Sequence, residues 1–325
     1  MAQIEETKSY RIFLASIKTN STKENYVYWL NKYLVFKKAK NHDELLLGGQ
    51  DQIQTDLENY VMDMKNHQKS KYAINLTLAS LFLFFEMNRI ILNKRIINQL
   101  AKESEEEELA RGIHVRQAYT SKDIKAIIQA IDVTKIKKCK RWVFRKPRAK
   151  SIILFFASSG IRLGALPKIT LGDLTKIENC YRVQIYPNTK SQYTTFISPE
   201  ASLSLDEYLA TRQNLTKDDL VFNMKYPAIR KLITRLVIKA KVIPSTSRSK
   251  SNNSQARTFL NIPIVHGFRY FYNTTMKGNS SINVSCIESM MGHSHKIKLD
   301  ESYFKPTDAQ LFIEYKKGIE SLTIF

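Results

Sequence analysis

Apolar residues recur at helical spacing through the first hundred residues of the chain. Between Thr22 and Phe36, the residues that share one face are Tyr26, Trp29, Leu30, Tyr33 and Leu34. A second helix is predicted from Gln52 to His67, and a third carries Ile74, Leu78, Leu81, Phe82 and Phe85 on one face. We therefore predict four or five helices over residues 8–100, with Ser21 or Thr22 capping the first of these three.

The segment from Lys102 to Arg111 interrupts this pattern. It contains Glu103 and an unbroken acidic run over residues 105–108, and it has little apolar periodicity. A charged segment of this kind is typical of a solvated connector. We predict a helical domain over residues 1–102, a linker over residues 103–118 and a second domain over residues 119–325.

The second domain is predicted to be mostly helical, with a small antiparallel hairpin. Apolar residues alternate over residues 181–185 and again over residues 193–197, which predicts two strands joined by a turn over residues 187–192. Ser121 is the expected cap of a helix that ends near Ile131. The other helices are expected at residues 152–158, 201–212, 227–241, 265–276, 281–291 and 307–322. The fold class is therefore mainly α, an α+β protein with little sheet.

The charge of the chain points to a polyanionic partner. The 325 residues carry a formal net charge of +21, nearly all of it after residue 111. The basic residues are densest between residues 135 and 150: Lys135, Lys137, Lys138, Lys140, Arg141, Arg145, Lys146, Arg148 and Lys150. Such a cluster would contact several phosphates of nucleic acid and would make the affinity salt-dependent, although a solvated basic face is the plainer alternative.

Other features of the sequence limit the cellular compartment and the chemistry that the chain can have. The three cysteines, Cys139, Cys180 and Cys286, are widely spaced and indicate a reducing compartment. The N-terminal residues lack an apolar signal core, and no apolar stretch is long enough to span a bilayer. We expect a cytoplasmic, nucleoid-associated protein without membrane contact. The cysteines do not cluster and no carboxylate has ligand spacing to the histidines, so we expect no metal and no cofactor.

A set of residues in the second domain suits phosphoryl transfer on DNA, which needs cationic donors, a nucleophile and an acid for the leaving oxygen. Arg162 follows Gly160-Ile161, and His266 and Arg269 are three residues apart on a predicted helix. Gly292 is a natural helix stop that would present His293 at a turn, with Tyr303 ten residues later. Each residue alone is more simply explained as a surface or packing residue.

The order Arg162, Lys190, His266-x-x-Arg269, Gly292-His293 and Tyr303 resembles the catalytic signature of the tyrosine recombinases, a family that includes phage and archaeal integrases. The segments SSGIRLGALPKI, HGFRYFYNTTM, MMGHSH and SYFKPT are most similar to the archaeal integrase branch. The resemblance implies a helical core-binding domain that clamps DNA, followed by a catalytic domain. It also implies a double-stranded DNA partner, and a monomer in solution that assembles into a tetramer on its recombination site.

The resemblance implies a role for each residue. Tyr303 would attack the scissile phosphate and form a 3′-phosphotyrosine, and Lys190 would protonate the leaving 5′-oxygen. Arg162 and Arg269 would stabilise the transition state. His266 would assist proton transfer at the tyrosine, and His293 would hydrogen-bond a non-bridging oxygen.

Three positions complicate this assignment. Many family members have an acidic residue where this chain has Ala165, and His295 competes with His293 for the second histidine position. Tyr315 is a competing nucleophile that we interpret as a packing residue. Two other functions are compatible with the residues: a type IB topoisomerase-like activity that nicks and reseals one strand, and a DNA-binding accessory protein without catalysis.

Overall fold

The computed structural model describes residues 7–102, 117–132, 145–242, 262–293 and 304–325. The chain forms two compact units, Met1–Ile113 and His114–Phe325, and the division falls inside the segment assigned to the linker. Among the described helices, none combines the length and the apolar character needed to cross a membrane.

The first unit is helical throughout its described residues. It contains α1 (Lys8–Ala15), α2 (Asn20–Phe36), a 3-10 turn (Asp43–Leu46), α3 (Gly49–Asn66), α4 (Lys71–Met87) and α5 (Lys94–Leu100). Its core is aromatic, because Phe13, Tyr33, Phe84 and Phe85 are all almost fully buried. Phe84 and Phe85 come from α4, the most apolar of the predicted helices, which packs against α1 and α2.

The predicted cap of α2 was wrong. The helix begins at Asn20, and the side chain of Thr19 accepts the backbone N–H of Thr22 at 3.3 Å. Thr19 has the extended backbone that an N-cap residue adopts, whereas Ser21 and Thr22 already lie inside the first turn. The apolar spacing identified the helix but could not choose among four adjacent polar residues.

The second unit is helical around one small sheet. Its helices are α6 (Ser121–Asp132), α7 (Arg145–Ser159), α8 (Pro199–Leu209), α9 (Tyr226–Lys239), α10 (His266–Gly278), α11 (Val284–Met291), α12 (Asp308–Lys316) and α13 (Ile319–Leu322), with 3-10 turns at Leu166–Lys168 and Leu171–Asp173. The strands are β1 (Leu174–Ile177), β2 (Cys180–Ile185) and β3 (Tyr193–Ile197). The mainly helical fold class with a small antiparallel sheet is confirmed.

The sheet has one more strand than predicted. The order is β1-β2-β3, all antiparallel, and Tyr181 pairs with Ile197 across the predicted hairpin. β1 was missed because its four residues expose their two central side chains and show no alternation. The β2–β3 turn over residues 187–192 is the predicted one, and it sets β3 beside the end of α7.

Three helix boundaries in this unit also differ from the predictions. Thr120, and not Ser121, caps α6, since its hydroxyl accepts the Asp123 N–H at 3.2 Å. α7 begins at Arg145 rather than Ile152, because its first two turns are basic and carry no apolar signal. The predicted helix over residues 307–322 is divided into α12 and α13 at Gly318.

The core of the second unit surrounds α7. Residues 152–157 of this helix are all buried, so neighbouring helices and the sheet cover every face. α8 and α10 pack on it, and β3 lies alongside. The C-terminal helices pack on the same unit: Tyr315 is fully buried and donates its hydroxyl to the Ser158 carbonyl at 2.8 Å. The interpretation of Tyr315 as a packing residue agrees with this position.

Candidate active site

Arg269 lies one turn into α10 and is only 3% exposed. Its guanidinium donates to the carbonyl of Gly160 at 2.6 Å and to the carbonyl of Met291 at 2.7 Å. These two carbonyls belong to the ends of α7 and α11, where no helical partner remains for them. One side chain therefore ties the start of α10 to the ends of two other helices.

Gly160 is required where α7 ends. Its φ is +61°, and a Cβ there would lie 2.5 Å from the ring of Tyr272. Only glycine accommodates both this left-handed backbone and the close aromatic ring. Because Gly160 turns the chain at this point, its carbonyl faces Arg269, and Arg162 follows two residues later at the surface.

Gly292 plays the same part at the end of α11. It adopts the left-handed conformation at φ +60°, and the ring of Tyr193 from β3 covers the position that a Cβ would occupy. Its carbonyl accepts a hydrogen bond from Arg162 Nη1 at 3.2 Å. The turn places His293 immediately after α11, as the sequence predicted from the glycine stop.

His293 lies between a guanidinium and a carboxylate. Its Nε2 is 2.5 Å from Nη2 of Arg269, and its Nδ1 hydrogen-bonds the carboxylate of Glu288. Glu288 is itself buried and pairs with Lys277 of α10. Arg162, Arg269 and His293 thus converge on the turn at Gly292, although 131 positions separate the first from the last in the sequence.

Burial and the neighbouring charges set the protonation of this cluster. Burial lowers the pKa of His293, and the positive charges of Arg269 and Arg162 lower it further, against the opposing effect of Glu288. Burial raises the pKa of Glu288, but its hydrogen bonds to Lys277 and His293 outweigh this, so its pKa lies below the ordinary value. A neutral imidazole therefore contacts a carboxylate that remains ionised.

Tyr193 adds a phenol to the same region. Burial raises its pKa, and the guanidinium groups of Arg269 and Arg162 partly offset the increase. Arg269 and Arg162 bond the consecutive carbonyls of Met291 and Gly292, and the pKa of Arg269 is lowered by burial and by the positive charge of Arg162. Two neighbouring guanidinium groups, one buried and one exposed, form a site with the charge and donors that a phosphate would satisfy.

The other predicted site residues are more peripheral or lie outside the described residues. Lys190 is exposed on the β2–β3 turn, three residues before Tyr193. His266 is the exposed first residue of α10, with its ring edge-on to Tyr270 at 4.8 Å. Tyr303 and His295 lie outside the described residues, so the choice of Tyr303 as nucleophile and of His293 over His295 stays a prediction.

The basic segment is described only at its C-terminal end, where Lys146, Arg148 and Lys150 lie on α7. Lys146 pairs with Asp132 at 3.2 Å, and Lys150 is 3.9 Å from Glu207. All these side chains are partly exposed, so their salt bridges are weak and compatible with exchange for phosphate. Lys135, Lys137, Lys138, Lys140 and Arg141 lie outside the described residues, as does the side chain of Arg145.

Glu288, Lys277 and Tyr193 were not predicted from the sequence. Glu288 had one detectable signal: it is the single charged residue of the segment VSCIESMM, where an unpaired carboxylate would be costly. Ala165, by contrast, is 1% exposed in the apolar core, so among the described residues the carboxylate that contacts the cluster comes from α11 and not from the position three residues after Arg162. In the part of the chain that the structure describes, no three His, Cys, Asp or Glu side chains are grouped to hold a metal ion.

Comparison with known proteins gives a clear result for the fold only. No family model matches the sequence, and a search of curated proteins finds no match. Solved structures do match. A lambda integrase dimer bound to a COC′ core site has a TM-score of 0.57 at 12% identity, over 91% of this chain and 92% of that chain.

Two further structures agree. The XerH site-specific recombinase bound to a palindromic difH substrate, in a post-cleavage complex, has a TM-score of 0.55 at 16% identity over 86% of this chain and 78% of its own. The Tn1549 transposon integrase with circular intermediate DNA has a TM-score of 0.52 at 13% identity over 94% and 97%. The chain therefore has the tyrosine recombinase fold. Its placement in an archaeal branch stays a prediction.

Proposed function

We propose that this chain is a site-specific DNA recombinase, or integrase, that cleaves and rejoins DNA through a 3′-phosphotyrosine at Tyr303. The observation that carries the proposal is the convergence of Arg162, Arg269 and His293 on the turn at Gly292. A fold alone does not imply an activity, but these side chains come from three separate segments and form one cationic site.

The proposed reaction exchanges one phosphodiester for another. The Tyr303 oxygen attacks the scissile phosphorus, the bond to the 5′-oxygen breaks, and the tyrosine oxygen remains bonded to the 3′-phosphate. His266 accepts the phenolic proton, and Lys190 donates a proton to the departing 5′-oxygen. Attack by the 5′-hydroxyl of another strand reverses each step. The phosphotyrosine conserves the bond energy, so the scheme uses no cofactor and no metal.

The two arginines stabilise the charge that develops on the non-bridging oxygens during both steps. Arg269 is rigid, since it is buried and held by two carbonyls, whereas Arg162 is exposed and can turn its remaining N–H groups toward DNA. A fixed donor beside an accessible one suits a phosphate that enters from solvent. The same two positive charges would also stabilise the Tyr303 phenolate as it attacks the phosphorus.

The proposed partner is double-stranded DNA. The lambda integrase, XerH and Tn1549 integrase structures contain DNA, and one lambda integrase structure, with a TM-score of 0.56, is a tetramer bound to a Holliday junction. We propose that this chain is monomeric in solution and, like that lambda integrase, assembles into a tetramer on DNA. Phosphate contacts from the basic segment over residues 135–150 would supply affinity but no sequence specificity.

The test is the capture of the covalent intermediate. Duplexes that bind the full chain are selected from a randomised pool and rebuilt with a nick near each candidate cleavage position, so that the short 5′-hydroxyl strand diffuses away after cleavage. A denaturing gel then reports a protein–DNA adduct, and mass spectrometry identifies the modified residue. An adduct at Tyr303 supports the proposal. Tight binding without any adduct would favour the non-catalytic accessory function.

Two variants serve as a matched pair. Tyr303→Phe removes only the nucleophilic oxygen, so we expect no adduct and nearly unchanged DNA affinity. Tyr315→Phe removes a buried hydroxyl of the same type, and we expect the adduct to persist. An adduct that survives in the first variant and disappears in the second would transfer the nucleophile to Tyr315. Strand exchange between two duplexes then separates a recombinase from a topoisomerase-like enzyme, which reseals the original strand.

A further inference from the structure

Glu288 is the one buried carboxylate that touches the candidate site among the residues described. It is 6% exposed and lies on α11, five residues before His293. Its two oxygens have separate partners: one accepts from Lys277 of α10, and the other bonds Nδ1 of His293. A buried carboxylate is retained only when it is paired in this way, so both partners are needed to keep it ionised.

The hydrogen bonds fix the tautomer of His293. Arginine has five N–H donors and no acceptor, so the 2.5 Å contact between Arg269 Nη2 and His293 Nε2 requires Nε2 to accept. The ring proton must then be on Nδ1, where it faces the carboxylate of Glu288. Without Glu288, the more common choice of Nε2–H would become available, and it would direct an N–H against an N–H of Arg269.

We infer that Glu288 is a positioning residue: by holding Nδ1–H of His293, it aims Nε2 at Arg269 and fixes the guanidinium that binds the scissile phosphate. The inference rests on the proposed function for its catalytic consequence. The arrangement Lys277–Glu288–His293–Arg269 connects α10 to α11 and returns to α10, so each member restrains the next. Glu288 touches no DNA atom in this scheme and acts only through the imidazole.

The carboxylate also suits the step in which phosphate binds. A phosphate oxygen that replaces Arg269 as the partner of Nε2 accepts a hydrogen bond, so Nε2 must take up a proton from solvent and the ring becomes an imidazolium. An anionic neighbour at Nδ1 stabilises this cation, as the buried carboxylate of a serine protease stabilises its histidine. Glu288 therefore supports both the neutral ring in the free protein and the charged ring in the complex.

The first test needs no DNA. The full chain is labelled with ¹⁵N-histidine, and the His293 resonances are assigned by their disappearance in His293→Gln. We expect a neutral ring protonated at Nδ1 in the wild type, and a mixture of tautomers or a shift to Nε2–H in Glu288→Leu, which offers no acceptor for Nδ1–H. A wild-type ring protonated at Nε2, or an unchanged tautomer in Glu288→Leu, would overturn the inference even if the chain is an active recombinase.

The second test uses the nicked duplexes. Hydrogen-bonded partners that orient a metal-binding histidine typically contribute about 10- to 100-fold, and by analogy we expect a decrease of that size in the single-turnover rate of adduct formation by Glu288→Gln. The affinity for DNA should change by less than about threefold, because the positive donors remain. Glu314→Gln is the matched control: Glu314 also pairs with a lysine, Lys317, and accepts the Asn283 N–H at 2.7 Å.

A double-mutant cycle distinguishes positioning from general stability. If Glu288 acts through His293, then Glu288→Gln should have little further effect on adduct formation in a His293→Gln background. Additive losses, or an equal loss in Glu314→Gln, would show that the carboxylate only stabilises the fold and would overturn the inference. If the wild type forms no adduct at all, the proposed function fails, while the tautomer measurement still decides the role of Glu288.

Discussion

Substitution by lysine should lower stability strongly at the buried Arg269 and hardly at all at the exposed Arg162. In Arg269→Lys, one ammonium group replaces a fork that reaches Gly160 at 2.6 Å and Met291 at 2.7 Å. A single ammonium nitrogen cannot reach the two carbonyls and the His293 ring at the same time, so at least one buried acceptor loses its partner. Arg162→Lys changes an exposed side chain with one 3.2 Å bond to Gly292.

The magnitudes follow from these contacts. A hydrogen bond from a charged group contributes about 1.5–3 kcal/mol, so Arg269→Lys should lower the unfolding free energy of the second unit by roughly 2–5 kcal/mol. Arg162→Lys should stay within about 0.5 kcal/mol, as exposed substitutions usually do. Both variants should lower adduct formation by at least about 100-fold, because each replaces a bidentate guanidinium donor to the transition-state charge with a single ammonium group.

The assay combines two readouts on the full chain. Hydrogen exchange in increasing urea reports the opening of α7, α10 and α11 separately from the first unit, which matters because a chain of two units need not unfold in one step. Adduct formation on nicked duplexes reports cleavage. Wild-type exchange in Arg269→Lys, or an equal loss of protection in Arg162→Lys, would refute the assignment of Arg269 as a structural tie. Wild-type cleavage by either variant would remove that arginine from the catalytic site.

Three further predictions concern residues around the site and in the first unit. Gly160→Ala should destabilise the second unit by more than about 1 kcal/mol in urea titrations, because the added Cβ meets Tyr272 in a left-handed backbone. Tyr315→Phe should cost about 1 kcal/mol through its lost bond to Ser158 and still form the adduct. Burial lowers the pKa of His42 from 6.5 to about 4, so the unfolded state takes up the proton at a higher pH than the folded state does. The unfolding free energy of the first unit, measured by hydrogen exchange, should therefore fall by about 3 kcal/mol as the pH is lowered from 6.5 to 4. His42→Asn should remove most of that pH dependence.

The sequence was most informative where apolar spacing or a special backbone residue leaves a local signal. The helices of the first unit, the β2–β3 hairpin and the stop at Gly292 each have such a signal in a few consecutive residues. Boundaries were less predictable. α7 begins seven residues before its apolar stretch, and this start was not predicted because the first two turns are basic and carry no apolar pattern.

Three residues of the cluster were predictable from the sequence, but the contacts between them were not. Order and spacing identified Arg162, Arg269 and His293, yet they did not indicate that Arg269 would be buried and bonded to the ends of two helices. Glu288 was not predicted, because its partner Lys277 lies on a different helix and the sequence does not show that the two side chains meet. Long-range pairing of this kind is a property of packing and leaves no periodic trace in the chain.

The packing of α12 determines how often this helix can undock from the second unit. Undocking would expose Leu311, Phe312 and Tyr315 and break the bond from Tyr315 to Ser158. Burial of each such side chain is worth about 1.5–3 kcal/mol, so detachment costs several kcal/mol and the open form of an isolated chain is populated at less than about one part in a thousand. Transfer of the helix to an equivalent groove on a second copy would restore the same contacts. The equilibrium cost of such an exchange would then be small, and its rate would be set by the rare opening.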